Sequence, residues 1–133
     1  MGIKFFDMYS PSHALGGMTF YLLGIDIKLS IILHTFFELF ENYFWVNKGG
    51  YCIKLPFMRQ KDCKTKPDSI RNMIGDTISF ILGFLIGLYL IKKPYLENIH
   101  FFIKLMIIGL VVPLGYSMLT TNIIGYLPKF EHE

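Results

Sequence analysis

A chain of 133 residues has room for one domain. Of these residues 53% are hydrophobic and 17% charged, where a soluble domain carries about 25% charged residues, and the mean hydropathy is +0.45. The low charge does not decide the class alone; with apolar stretches at about 29–46, 69–91 and 99–119 long enough or nearly so to cross a bilayer, and a shorter one at about 11–25, it predicts an all-α membrane protein, a four-helix polytopic bundle in which 1–133 form a single transmembrane domain; no nucleic acid is expected as a partner.

The first predicted helix covers about 11–25. Ser10 is placed to cap it, and Pro11 suits the first helical position. No basic region precedes it, so it is expected to be retained rather than cleaved as a leader. Phe6 stands where a myristoylation signal needs Ser or Thr. At 1.5 Å per residue this helix reaches roughly 22 Å, short for a bilayer core of about 30 Å. It either crosses with Phe5 and Phe6 in the interface or inserts halfway. Gly24, Asp26 and Lys28 then interrupt the pattern. The second helix follows at about 29–46, antiparallel to the first because the connection is short. Tyr43 and Trp45 near its end suit the headgroup belt.

Loop 47–67 sets Lys48, Lys54, Arg59, Lys61, Lys64 and Lys66 against Asp62. Its Leu55-Pro56-Phe57-Met58 run is expected to dip into the interface. Cys52 and Cys63 have no neighbouring histidines and make no zinc pattern; in a reducing compartment both are expected as free thiols. The third helix, about 69–91, opens at Asp68 or Ser69 after Pro67. The fourth, about 99–119, is expected to kink at Pro113 and Gly115, to pack rather than carry chemistry, and to let Lys104 snorkel outward. The tail 129–133 is polar. The positive-inside rule places loop 47–67, and with four spans both termini, on the cytoplasmic-equivalent side. Abundant Ile, Phe, Lys, Asn and Tyr fit an A+T-rich genome, so the membrane is read as a bacterial-type inner membrane or a viral or host membrane.

The polar residues inside these spans carry the functional argument. Glu38, Glu41 and Asn42 share one face of the second helix with His34, and Asp68, Asn72 and Asp76 recur four apart on the third. Ser79, Gly83 and Gly87 continue the latter stripe, and Gly83/Gly87 form a GxxxG that admits a closely packed helix or a second copy of the chain. An ionised carboxylate at mid-membrane costs about 2.5–3.5 kcal/mol, so Glu38, Glu41 and Asp76 facing lipid would cost about 7–10 kcal/mol. They must face inward. Counted at 1.5 Å per residue from the helix ends, Glu41 and Asn42 lie roughly 6–8 Å deep, and Asp76 and Glu38 about 12 Å. His13, Glu38, Glu41, Asn42, Asn72 and Asp76 are therefore expected to converge in the leaflet on the basic-loop side. His34 is expected near the opposite leaflet with a structural role. Adjacent carboxylates and a buried imidazole suit proton exchange, and the same groups suit a divalent cation, which leaves any cofactor open at this stage. Interhelical hydrogen-bond glue and a proton or ion path are the other readings of the cluster.

The run Asp7, Tyr9, Pro11, Ser12, His13, with Gly16, Gly17, Phe20 and Tyr21, is followed by Glu38-x-x-Glu41-Asn42, by Asp68-Ser69-x-x-Asn72-x-x-x-Asp76 and by Gly83-Phe84. With Thr121-Asn122-Ile123-Ile124 and Pro128, these blocks resemble a family of small bacterial inner-membrane proteins of unknown function over most of the chain. The chain departs from that pattern at Gly16, where a second His is usual, and at Tyr116-Ser117-Met118, which replace an Arg-Asp pair. More loosely, His13, Glu38 or Glu41, Asp68, Asn72 and Gly75 resemble the VanZ-like membrane proteins, which are associated with cell-envelope lipids.

These readings converge on an intramembrane site that binds, and processes, an anionic lipid or lipid-linked substrate drawn in by the basic loop. Glu38, Glu41 and Asp76 would be acid/base groups or cation ligands. His13 would shuttle protons at the mouth. Asn42 and Asn72 would orient the carboxylates, with Asp68 and Ser69 beside them on the substrate side. The competing expectation is a non-enzymatic scaffold or assembly component, for example of a virion or host membrane.

Overall fold

The structure, a computed structural model, describes residues 4–7, 9–53 and 62–118. Lys54, Arg59 and Lys61, the Leu55-Pro56-Phe57-Met58 run, the Asn122-containing segment and the polar tail lie outside the described residues. The described residues form four α-helices: α1 (Ser10–Leu22), α2 (Ile27–Leu39), α3 (Ile70–Leu90) and α4 (Phe101–Met118). Local signals explain the boundaries. Asp26 ends the first connection by accepting from the Lys28 and Leu29 amides at 2.8 and 3.3 Å, so α2 begins two residues before the hydrophobic run predicts. α1 stops in a Schellman motif, in which the Gly24 and Ile25 amides bond to the Tyr21 and Phe20 carbonyls and Gly24 takes φ 66°. Ser69 caps α3 by accepting from the Asn72 amide at 3.2 Å.

Ser10 departs from its expected role. Tyr9 is the N-cap residue, its side chain making no capping hydrogen bond, and Ser10 is the first helical residue. Its hydroxyl accepts from the Asp7 amide at 3.1 Å and donates to Asp76 Oδ1 at 2.9 Å, so a tertiary contact displaces capping.

α2 runs on without a break into a π-helical segment, Phe40–Trp45, and the helical backbone continues to Asn47. Beyond it the basic loop folds into a short antiparallel hairpin, β1 (Tyr51–Ile53) against β2 (Asp62–Lys64). The hairpin sets Cys52 directly opposite Cys63. Cys52 is disulfide-bonded, which corrects the free-thiol expectation: the strand register, not the spacing in sequence, brings the cysteine positions together.

α1 is the centre of the fold and packs mainly along α3. Three glycines permit that approach. A Cβ on Gly17 would stand 1.8 Å from the Phe80 carbonyl oxygen, one on Gly83 1.8 Å from the Ala14 carbonyl oxygen, and one on Gly87 2.9 Å from the Tyr21 ring. The close contact foreseen for Gly83 and Gly87 is thus made within the chain, and a second copy would have to use another face. Phe20, Tyr21, Leu23, Ile25, Phe80 and Phe84 form the apolar core, with Phe20 on Phe80 and Tyr21 on Phe84 edge to face. Tyr21 also donates its hydroxyl proton to the Ile91 carbonyl.

Apart from that core, burial is inverted. Buried positions include Ser10, Ser12, Thr19, Ser30, His34, Glu38, Glu41, Asn42, Asn72, Asp76 and Ser79. Exposed positions include Ile32, Phe36, Ile74, Leu82, Leu88, Phe102, Met106 and Leu110. Among the described residues one helix, α3, with a mean hydropathy of 1.8, is long and apolar enough to cross a membrane. α4 exposes most of its described apolar side chains. Lys104 is the exception and does not snorkel: it is buried, and its Nζ donates to the Glu97 carbonyl at 2.7 Å.

Candidate functional site

Three helices deliver polar side chains to one place. α1 supplies Ser10 and His13, α2 supplies His34 and Glu38, the π-helical segment supplies Glu41 and Asn42, and α3 supplies Asn72 and Asp76. The π-helical turn matters because Glu41 and Asn42, adjacent in sequence, are both buried there.

The inner part is built around His13. Its Nδ1 lies 3.0 Å from His34 Nε2 and 3.4 Å from Glu38 Oε1, and its Nε2 lies 3.6 Å from Asp76 Oδ2. His34 Nε2 is 3.7 Å from Glu38 Oε1, one helical turn along α2. The His34 ring also packs on Phe80, with centroids 4.3 Å apart. His34 therefore belongs to the cluster, which corrects its placement near the opposite leaflet. One helical turn is only about 5.4 Å, too little to remove it from its i+4 neighbour. His13 is the accessible member, with its side chain 20% exposed, whereas those of His34, Glu38 and Asp76 are 6%, 3% and 4% exposed.

Asn42 joins this part to the loop side. Its Nδ2 donates to Glu38 Oε2 at 3.2 Å and to the Glu38 carbonyl at 3.0 Å, and its Oδ1 accepts from the Asp68 amide at 2.8 Å. Asn42 thus orients a carboxylate. Asn72 is placed otherwise: its Nδ2 donates to the Lys4 carbonyl at 3.0 Å and anchors the N-terminal segment, which also passes over Gly75. Ser69 is occupied as the α3 cap.

Glu41 and Asp68 form a second, outer part around Lys64, whose Nζ donates to Glu41 Oε2 at 2.8 Å and to Asp68 Oδ2 at 2.5 Å. Burial pulls the Lys64 ammonium down, but the charge of Glu41 and the hydrogen bonds it donates to Asp68 and Glu41 outweigh it and hold the group above its ordinary value. Lys64 was legible in the sequence only as one of the loop's topology charges; its spacing of four from Asp68 was the one local hint. Ser10, read as a cap, is the other site residue that the sequence does not announce.

A cleft of about 310 Å³, lined by Tyr21, Asp26, Phe84, Leu88, Pro94 and Glu97, lies at the other end of α1 and α3 and touches none of these groups. Comparison with family models, with curated proteins and with solved structures finds no match.

Proposed function

We propose that the chain is a polytopic membrane protein whose buried His–carboxylate cluster binds and processes an anionic lipid headgroup or lipid-linked substrate that enters past His13. The inversion of burial carries this reading. Aliphatic and aromatic side chains cover the outer faces of α2, α3 and α4, while histidines, carboxylates and amides sit between the helices. Exposed apolar surface on this scale marks a lipid or partner interface, and carboxylates tolerated inside such a bundle mark function by default. In this reading α2, with its π-helical continuation, reaches about 30 Å and crosses beside α3. His13, at the accessible edge, exchanges a proton with Asp76 through its Nε2, and Glu38, held by Asn42, faces both imidazoles.

The test is lipid retention. Full-length protein extracted from its membrane should carry an anionic lipid detectable by mass spectrometry. Glu41→Gln and Asp76→Asn should remain folded and lose it. Unchanged lipid in both folded variants would overturn the reading. Loss of folding alone would favour the second reading, a scaffold held together by interhelical hydrogen bonds. One observation supports that alternative: Ser10, Asn42 and Lys64 spend their polar atoms on neighbouring groups of the chain itself.

The side of the membrane on which the hairpin lies is tested separately. The basic loop indicates the cytoplasmic-equivalent face, whereas the disulfide at Cys52 belongs to an oxidising compartment. Alkylation of the chain in intact cells, before any reductant is added, is expected to label neither cysteine. Two labelled thiols would return the loop to a reducing compartment.

A further inference from the structure

We propose that His13 Nδ1, His34 Nε2 and Glu38 Oε1 form a binding site for one zinc-type divalent transition metal. The proposal rests on reading the cluster as a functional site, and it names the cofactor of that site. The three ligand atoms are 3.0, 3.4 and 3.7 Å apart. Nitrogen and oxygen ligands on 2.0–2.2 Å arms at the tetrahedral angle stand roughly 3.3–3.6 Å apart. The observed triangle brackets that spacing, so an ion can be accepted with shifts of a few tenths of an ångström.

A second observation is independent of this spacing. Glu38 is 2% exposed, and its Oε1 has no hydrogen-bond partner among the described residues. Asn42 fixes the other oxygen, Oε2, and so aims Oε1 at the imidazoles. A buried acceptor left without a donor costs about 1–3 kcal/mol, more when it is charged. Neither imidazole makes a hydrogen bond to Oε1, from which their nearest nitrogens stand 3.4 and 3.7 Å away. A cation in the triangle satisfies it.

The outer groups fit the same assignment. Metal-bound histidines commonly present the other ring nitrogen to a carboxylate. His13 Nε2 faces Asp76 Oδ2, and Ser10 steadies the opposite oxygen of that carboxylate. Two imidazoles and one carboxylate suit zinc and its neighbours; magnesium and calcium prefer all-oxygen shells. Three protein ligands leave a fourth position open, on the side where His13 is partly exposed. That position would take a phosphate oxygen, and the ion supplies positive charge beside the inner carboxylates, where Lys64 is already engaged by Glu41 and Asp68.

The full-length protein in detergent, stripped with a chelator, is titrated with Zn²⁺ and with Co²⁺. One equivalent should bind per chain, with the visible ligand-field bands of tetrahedral Co²⁺ and a zinc-dependent rise in melting temperature. Asp76→Asn, outside the ligand triangle, should weaken binding about 10- to 100-fold. Glu38→Gln and His34→Gln should weaken it more, and Glu41→Gln should not change it. Should Glu38→Gln misfold, His13→Gln at the exposed edge replaces it with the same expectation. No stoichiometric metal in the wild type, or equal affinity in folded ligand variants, overturns the proposal. Stoichiometric metal binding with equal retention of phosphatidylglycerol and phosphatidylcholine from mixed micelles, by both the stripped and the zinc-loaded protein, upholds the metal site and sinks the lipid reading. Selective phosphatidylglycerol binding with no metal does the reverse.

Discussion

Gly83→Leu is expected to destroy the folded state. A Cβ at position 83 would meet Ala14 at 1.8 Å from its carbonyl oxygen, 2.5 Å from its carbonyl carbon and 2.6 Å from its Cα. All three are backbone atoms of α1, so no rotamer change relieves the clash. The reciprocal contact of Gly17 with the Phe80 carbonyl locks the same two helices one turn away. Relief requires α1 and α3 to separate. Separation opens the Phe20–Phe80 and Tyr21–Phe84 pairs and parts Ser10 and His13 from Asp76. Overpacking costs about 1–3 kcal/mol where side chains can yield; here the cost should be at the top of that range or beyond, against a total stability of about 5–15 kcal/mol. The measurement is the thermal midpoint by circular dichroism in detergent, with the monodispersity of the extracted protein. Gly109→Ala is the control. Nothing lies within 4 Å of its Cβ position, and the gain in helix propensity should stabilise α4 by about 0.5–1 kcal/mol. A Gly83→Leu protein that melts with the wild type would refute the α1–α3 packing described here.

What the sequence disclosed and what it hid divide along a physical line. Signals that act within one turn of chain were readable. Pro67 and Ser69 announced the start of α3, and the four-residue recurrence of Asn72 and Asp76 announced its buried face. The inward orientation of Glu38 and Glu41 followed from the cost of a charge in lipid. Contacts made across the fold were not readable. Ser10 has the credentials of a cap, and only the approach of α3 turns its hydroxyl to Asp76. His34 was assigned by depth, a coordinate along one helix, although the position of α1 decides which of its neighbours it meets. Asn72 shares a face with Asp76 yet is claimed by the Lys4 carbonyl, because Gly75 lets the N-terminal segment lie against α3. Lys64 looked like one solvated charge among several, since nothing local reveals that the hairpin returns it to Glu41.

That returned lysine carries the second large effect. Lys64→Met is expected to cost about 1–3 kcal/mol, less than the roughly 3–5 kcal/mol of a fully buried pair, because Lys64 and Asp68 are only half-buried. The side chains of Lys64, Glu41 and Asp68 are 14%, 11% and 12% exposed, so water compensates part of the loss. Removing the ammonium takes one cation away from the Glu41 and Asp68 carboxylates at the junction of the loop with α3. It also loosens the strap that holds β2 to the π-helical segment. The pH dependence has a definite sign. The pairing raises the Lys64 pKa above its ordinary 10.5, so its stabilisation is complete below that value and is lost only as pH climbs through the raised one. Between pH 7 and pH 10 the wild type and Lys64→Met should therefore differ by a constant margin. The gap should close only at more alkaline pH, as the lysine of the wild type loses its proton. A gap that closes near neutrality would mean that some other group, not Lys64, binds Glu41 and Asp68 to the loop.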